Sequence, residues 1–303
     1  MRGLRIVGLF LITVLPTASA QPHSHPAAGK PSFQRALHTA LAGTPATAIV
    51  LDVASSNLLA IEPTANAAQL HSAPGSILKP FFLAATLESG AIQPQSTVIC
   101  HRNLRVLGHN LACSHPQTDI AFNAEEALAY SCNTYFADLA ARLSPEQAVA
   151  VLREYGFGSA SLTSSATPVF RAPKTRVDTQ LLVLGVTGIQ VSPADTAAAY
   201  RKLALRFNNP AFSPTLAPVE LGMLNSVHYG AAHNAEVSGL KIAGKTGTAS
   251  DPGQPWTHGW FAGIAGEDSS RIVVVVYLPH GNGADAATIA HRFFVALKAG
   301  QAK

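Results

Sequence analysis

Charge is scarce in this chain of 303 residues, of which only 13% are Asp, Glu, Lys or Arg. Alanine is abundant, so the composition suits a compact, ordered body with much helix rather than a solvated tail. No run of Lys and Arg interleaved with aromatics occurs, which removes support for nucleic acid as a partner. No segment repeats at a fixed spacing, which excludes a solenoid or two homologous halves. Long apolar runs are missing as well. The longest leading stretch, Ile6 to Leu15, is short for a membrane span.

What that leading stretch does resemble is an export address. Arg2 and Arg5 form a positive start, the apolar run follows, and Ala18-Ser19-Ala20 offers small residues for cleavage. Residues 1–20 are therefore expected to be a signal peptide, with the mature chain in the periplasm or outside a bacterial cell. Membrane attachment would arise only if this segment stayed uncleaved. Its removal takes two arginines and no acid, lowering the formal net charge from +4 to +2. The basic balance thus belongs partly to the address, and argues only weakly for a polyanionic partner. Residues 21–43 read as a polar linker leading into a helix over Phe33 to Leu41, and His23 and His25 as a solvated pair. Residues 44–303 are expected to form one domain.

Within that body, Thr47 to Val53 and Leu58 to Ile61 read as a hairpin around Ser55-Ser56-Asn57. A mostly helical stretch runs from about residue 76 to 206, broken by polar loops at 93–120 and 159–178. Three β-rich runs close the chain, over 239–247, 259–265 and 271–278, before a last helix from Asp285 to Lys298. The simplest solution is α/β (α+β): a central antiparallel sheet of about five strands, built from both ends of the chain, flanked by helices and carrying an inserted helical lobe. A cleft would lie between sheet and lobe.

Three short motifs carry chemistry. Ser76-Ile77-Leu78-Lys79 follows Pro74-Gly75, which places Ser76 at a helix start and Lys79 on the same face. A serine hydroxyl needs a base held against it, and a desolvated lysine can lose its proton to become one. Alone, the same four residues also describe a capped helix with an exposed lysine. Ser131-Cys132-Asn133 would aim Ser131 and Asn133 to one side if extended, or start a helix if not. Lys245-Thr246-Gly247-Thr248 ends a strand-like run. Lys245 and both hydroxyls there could meet a carboxylate, and Gly247 could admit a substrate backbone.

In this order and spacing the motifs resemble the active-site-serine set of penicillin-binding proteins and β-lactamases. The segments APGSILKPF, ALAYSCNTYF, LGVTGIQVSPADTAAAY, AGKTGTA and GWFAG are similar to the transpeptidase domain of class B penicillin-binding proteins, from about Ala48 to Leu278. The resemblance implies a β-lactamase/transpeptidase-like fold with no cofactor and no metal, acting on peptidoglycan stem peptides and binding β-lactams covalently. Ser76 would be the nucleophile, Lys79 its base, and Ser131 and Lys245 the proton relay. Asn133, Thr246, Gly247 and Thr248 would bind substrate. The activity implied is D,D-transpeptidase or D,D-carboxypeptidase; a class D-like β-lactamase and a non-turnover sensor are the other readings. The membrane helix and elongated module usual before class B transpeptidase domains have no counterpart in the short linker.

The three cysteines pose a separate question. Cys100 and Cys113 share a polar loop with His101, His109 and His115. In an oxidising compartment a Cys100–Cys113 disulfide is the simpler expectation, with free thiols and a zinc site as alternatives. Cys132 reads as a small buried residue.

Overall fold

A computed structural model describes residues 33–64, 67, 70–157, 170–267 and 270–301. The expected signal peptide, most of the linker and residues 159–169 of the second polar loop lie outside them. Helix α1 (Phe33–Leu41) precedes the hairpin β1 (Thr47–Asp52) and β2 (Leu58–Glu62). A 3-10 turn (Gly75–Leu78) then runs into α2 (Lys79–Glu88). Four short strands follow, β3 (Val98–Cys100), β4 (Arg105–Val106), β5 (His109–Asn110) and β6 (Ile120–Phe122). Next come the helices α3 (Ala124–Ala129), α4 (Asn133–Ala140), α5 (Pro145–Glu154), α6 (Arg176–Val183), α7 (Pro193–Phe207) and α8 (Ser213–His228). The chain closes with β7 (Ile242–Ala249), β8 (His258–Ala265), β9 (Ile272–Leu278) and α9 (Gly283–Gln301).

Five strands form one antiparallel sheet in the order β2-β1-β9-β8-β7. The apolar alternation explains why it is covered on both faces. Ala48, Val50, Val274 and Val276 enter a core with α1 and α9, whereas Ile49, Leu51, Val273 and Val275 enter a second core with α2, α7 and α8. The near-continuous apolar β9, IVVVVYL, is what such two-sided burial demands. The smaller ribbons β3-β6 and β4-β5 stand apart in the helical lobe.

Side chains mark where several helices begin. Asn123, Ser144, Thr175 and Ser192 each accept a backbone N–H three residues on, and Glu126, Gln147, Asp178 and Asp195 reach back to complete capping boxes. Helix α8 was not expected, because Pro214, Pro218 and Gly222 disguise it. Pro214 sits in the first turn, where its missing N–H costs nothing. Gly222 is where α8 crosses α3: a Cβ there would lie 2.9 Å from the Glu125 carbonyl oxygen and 3.0 Å from Leu128 Cβ.

A tighter crossing than that at Gly222 lies under the Ser76 turn. Gly185 has φ +70°, and a Cβ on it would fall 2.1 Å from the Gly75 carbonyl oxygen; Gly75 N–H donates to Gly185 O at 3.0 Å. Gly43 has a similar φ of +74° but open space around it. Gly43→Ala should therefore cost only the left-handed backbone term, about 1–2 kcal/mol. Gly185→Ala should lower the thermal midpoint clearly further, by adding the steric term. Equal midpoints for the two variants would show that the crossing yields.

Candidate active site

The Ser76 turn is fixed from beneath and from both sides. Gly75, at φ +57°, opens the 3-10 segment and sets the direction of Ser76, and Lys79 N–H closes it on Ser76 O. Every residue from 72 to 80 is buried except Ser76. Positions three apart eclipse in a 3-10 turn, so Lys79 stacks beneath Ser76 while Ile77 and Leu78 enter the core. Tyr200 Oη donates to Ile77 O at 2.9 Å, tying α7 to the same turn.

Ala73, just upstream, is clamped at both ends. Its N–H donates to Asp251 Oδ1 at 2.9 Å, and its carbonyl accepts from Trp260 Nε1 at 3.0 Å and His258 Nε2 at 2.7 Å. Sequence reasoning missed Asp251 and His258, and took Trp260 only as part of the GWFAG segment. Aromatic and polar residues flanking a strand gave no signal that they would converge on one peptide unit.

The two lysines of the motifs meet at one hydroxyl. Lys79 Nζ donates to Ser131 O at 2.8 Å, to Asn133 Oδ1 at 2.6 Å and to Ser131 Oγ at 3.2 Å, and lies 5.0 Å above the Phe136 ring. Lys245 Nζ reaches Ser131 Oγ at 2.7 Å and Thr246 O at 3.1 Å. Both lysines are fully buried. Burial lowers the pKa of Lys79 to about 8. Burial and then the charge of Lys79 push Lys245 well below its ordinary value.

Ser131 does not lie in an extended segment, as the alternation of the motif suggested. It adopts φ +58°, the left-handed region, and Cys132 then caps α4 with extended backbone. This strained turn brings Ser131 Oγ and Asn133 together and sends Cys132 into the core. Asn133 Nδ2 also donates to Leu111 O at 3.0 Å, anchoring it to the loop after β5.

On the far wall, β7 packs edge-on against the Ser76 turn. A Cβ at Gly247 would lie 2.4 Å from Pro74 O, so only glycine allows this approach. Lys245 and Gly247 share a face, as expected. The two threonines differ. Thr246 Oγ1 donates to Ala231 O at 3.1 Å, so its proton is committed to the scaffold and not to a carboxylate. Thr248 Oγ1 accepts from Gly283 N–H at 2.9 Å and keeps its own proton for a ligand. A cavity of about 520 Å³ opens beside Ala73, lined by Arg171, Lys174, Asp178, Thr187 and Gln190 among others. It adjoins the second polar loop, which the sequence left unread.

The expected Cys100–Cys113 disulfide is not formed. Both are free thiols with sulfurs 3.6 Å apart, against about 2.05 Å for a bond. Topology supplies the reason: Cys132 Sγ lies 3.9 Å from Cys113 Sγ, and His115 Nε2 lies 3.5 Å from Cys100 Sγ. The sulfurs of Cys113 and Cys132 share a hydrogen bond, which pulls the Cys113 thiol down and pushes the Cys132 thiol up. His101 stands apart, exposed and paired with Asp119, and His109 is exposed.

Comparison with known proteins gives this arrangement its place. The apo transpeptidase domain of Burkholderia pseudomallei penicillin-binding protein 3 is similar in fold, with 21% identity and a TM-score of 0.76 over 93% of this chain and 97% of that one. The D,D-transpeptidase domain of an Eggerthella lenta peptidoglycan glycosyltransferase gives 20% identity and a TM-score of 0.75, over 89% and 81%. Pseudomonas aeruginosa PBP2 in complex with WCK 5153 gives 21% and 0.74, over 89% and 74%. The family model described as penicillin binding protein transpeptidase domain matches residues 46–297, and with the sheet, the lobe and the three motifs in place this chain belongs to that family of serine D,D-transpeptidases.

Proposed function

We propose that Ser76 is the acylated nucleophile of a D,D-transpeptidase or D,D-carboxypeptidase that acts on peptidoglycan stem peptides outside the cytoplasm. The observation that carries this reading is the single Ser131 hydroxyl held between Lys79 and Lys245 beside the Ser76 turn. Ser76 Oγ attacks the penultimate D-Ala carbonyl while Lys79 Nζ takes its proton. The oxyanion forms between the backbone N–H groups of Ser76 and Thr248. The C–N bond then breaks, and the leaving amine receives a proton through Ser131 Oγ. An amine or water next attacks the ester, which separates cross-linking from trimming.

Substrate completes the electrostatics. Lys245 is depleted of its proton by burial and by Lys79. A substrate carboxylate at Lys245 and Thr248 Oγ1 restores the charge on Lys245 and frees Lys79 to act as the base. Asn133 Nδ2 has a second hydrogen left for a substrate carbonyl. Among the described residues, none of the hydrogen bonds of Lys79, Ser131, Asn133 or Lys245 involves a carboxylate that could activate a deacylating water. Among these residues no helix is long and apolar enough to cross a membrane, and export rests on the leading segment.

Labelled penicillin should give a stable adduct that peptide mapping places on Ser76 and that Ser76→Ala abolishes. Rapid nitrocefin turnover would instead make the protein a β-lactamase. Incubation with sacculi and mass analysis of the products should then reveal gained cross-links or lost D-Ala.

Two further outcomes follow from the lysine pair. The groups facing Lys79 are Lys245 and the sulfurs of Cys113 and Cys132. Lys79 gives up its proton as pH rises through about 8. The acylation rate should therefore climb roughly tenfold between pH 7 and pH 9 and then level off. A flat profile in time-resolved labelling would remove Lys79 as the base. Ser131→Gly keeps the left-handed turn while deleting the relay hydroxyl, and should slow acylation by about 10²–10⁴-fold with little loss of thermal midpoint.

A further inference from the structure

Cys100, Cys113, His115 and Cys132 are all buried, and their four donor atoms lie within 4.8 Å of one another. They come from four places: the end of β3, two positions in the loop after β5, and the middle of the Ser131-Cys132-Asn133 turn. A tetrahedral Zn²⁺ with ordinary Zn–S and Zn–N bonds sets its ligand atoms about 3.8 Å apart for sulfur–sulfur and about 3.6 Å for sulfur–nitrogen. The distances here are 3.6 and 3.9 Å between sulfurs and 3.5 Å from sulfur to His115 Nε2. From this match we propose that the four residues form a closed Cys₃His site for one Zn²⁺, which staples the lobe loop to the Ser131 turn.

Donor chemistry selects the ion. Three sulfurs and an imidazole, with no carboxylate among them, exclude Mg²⁺ and Ca²⁺ and suit zinc. Four protein ligands leave no open position, so the ion is structural and not a reaction centre. Binding releases the protons of the three thiols to water and takes His115 as the neutral ring, leaving one net negative charge on the metal–thiolate unit. The surroundings already offer hydrogen bonds to thiolates. Asn133 N–H points at Cys113 Sγ at 3.1 Å, Arg102 N–H at Cys100 Sγ at 3.4 Å, and Thr134 Oγ1 lies 3.4 Å from Cys100 Sγ.

A disulfide explains less. Cys113 has Cys100 and Cys132 at nearly equal distances, so one bond would leave a third buried thiol and the His115 ring without a role. The loop from 101 to 121 has little regular structure, the two-residue strands β4 and β5 and part of β6, with a few backbone hydrogen bonds such as Cys113 N–H to Arg102 O and Asp119 N–H to Cys100 O, and much of it is exposed. It nevertheless supplies Leu111 O to Asn133. A metal gripping Cys113, His115 and Cys132 would fix both Ser131 and Asn133 through their shared neighbour.

The test uses the full-length chain without an affinity tag, exported in cells and purified without chelator. Elemental analysis should find about one zinc per chain. After chelation, Co²⁺ should restore a tetrahedral spectrum with intense thiolate-to-cobalt charge transfer. His115→Ala and Cys132→Ser should lose the metal and lower the thermal midpoint, whereas His101→Ala and His109→Ala should keep it. Less than about a tenth of an equivalent of metal after reconstitution of the reduced wild type with Zn²⁺ would overturn the site, and this reading needs no variant to fold. A metal-free Cys100–Cys113 disulfide in the exported protein would overturn it equally. Metal content and the cobalt spectrum are independent of acylation, so loss of the site and loss of the proposed activity are separate results.

Discussion

Two lysines buried in one site must divide their protons, and in this protein they do so across one serine hydroxyl. Among the described residues, no carboxylate accepts a hydrogen bond from Lys79 or Lys245. An isolated buried ammonium is costly, so the site relieves the charge by holding protons loosely. The rest of the architecture keeps that arrangement intact. α2 delivers Lys79 from one side, β7 delivers Lys245 from the other, and the left-handed Ser131 places its oxygen between them. A small lateral shift of any of the three would leave an unpaired buried amine.

That precision explains the backbone crowding around the Ser76 turn. Gly75, Gly185 and Gly247 each bring main chain against main chain at distances no Cβ would permit. The clamp on Ala73 adds three hydrogen bonds from β8 and the loop before it, so a single peptide unit registers the turn against the sheet. Rigid main chain is the cheapest way to hold an oxyanion site, because N–H groups positioned by a sheet need no reorganisation.

Most of the fold was legible because it is written in local code. Apolar, β-rich runs announced the sheet strands, whereas the helices were legible only as one long stretch, without the polar caps that open several of them. The hidden helix α8 shows the limit: its prolines look like breakers, and only packing against α3 makes Gly222 sensible. The site divides the same way. Ser76, Lys79, Ser131, Asn133, Lys245 and Gly247 could be named because the three motifs, in this order and spacing, resemble the active-site-serine set of penicillin-binding proteins. Thr246 could not be separated from Thr248, since their different partners, Ala231 and Gly283, lie in distant segments. The backbone of Ser131, the Asp251–His258–Trp260 clamp and the approach of Cys132 to Cys113 are likewise products of tertiary topology.

The strand order has a consequence for how the protein comes into being. β9 sits between β1 and β8, so the first strand of the sheet lacks a neighbour on its inner edge until the last strand arrives. Lys245 and the wall facing Ser76 belong to the same late segment. During synthesis or passage across a membrane, more than two hundred residues must emerge before the loop between β1 and β9 can close, and such long-range closure is slow. The Ser76 turn is made early and the strand that faces it late. Lys245 therefore cannot meet Ser131 until the chain is nearly whole, and an apolar strand needs shelter throughout that interval.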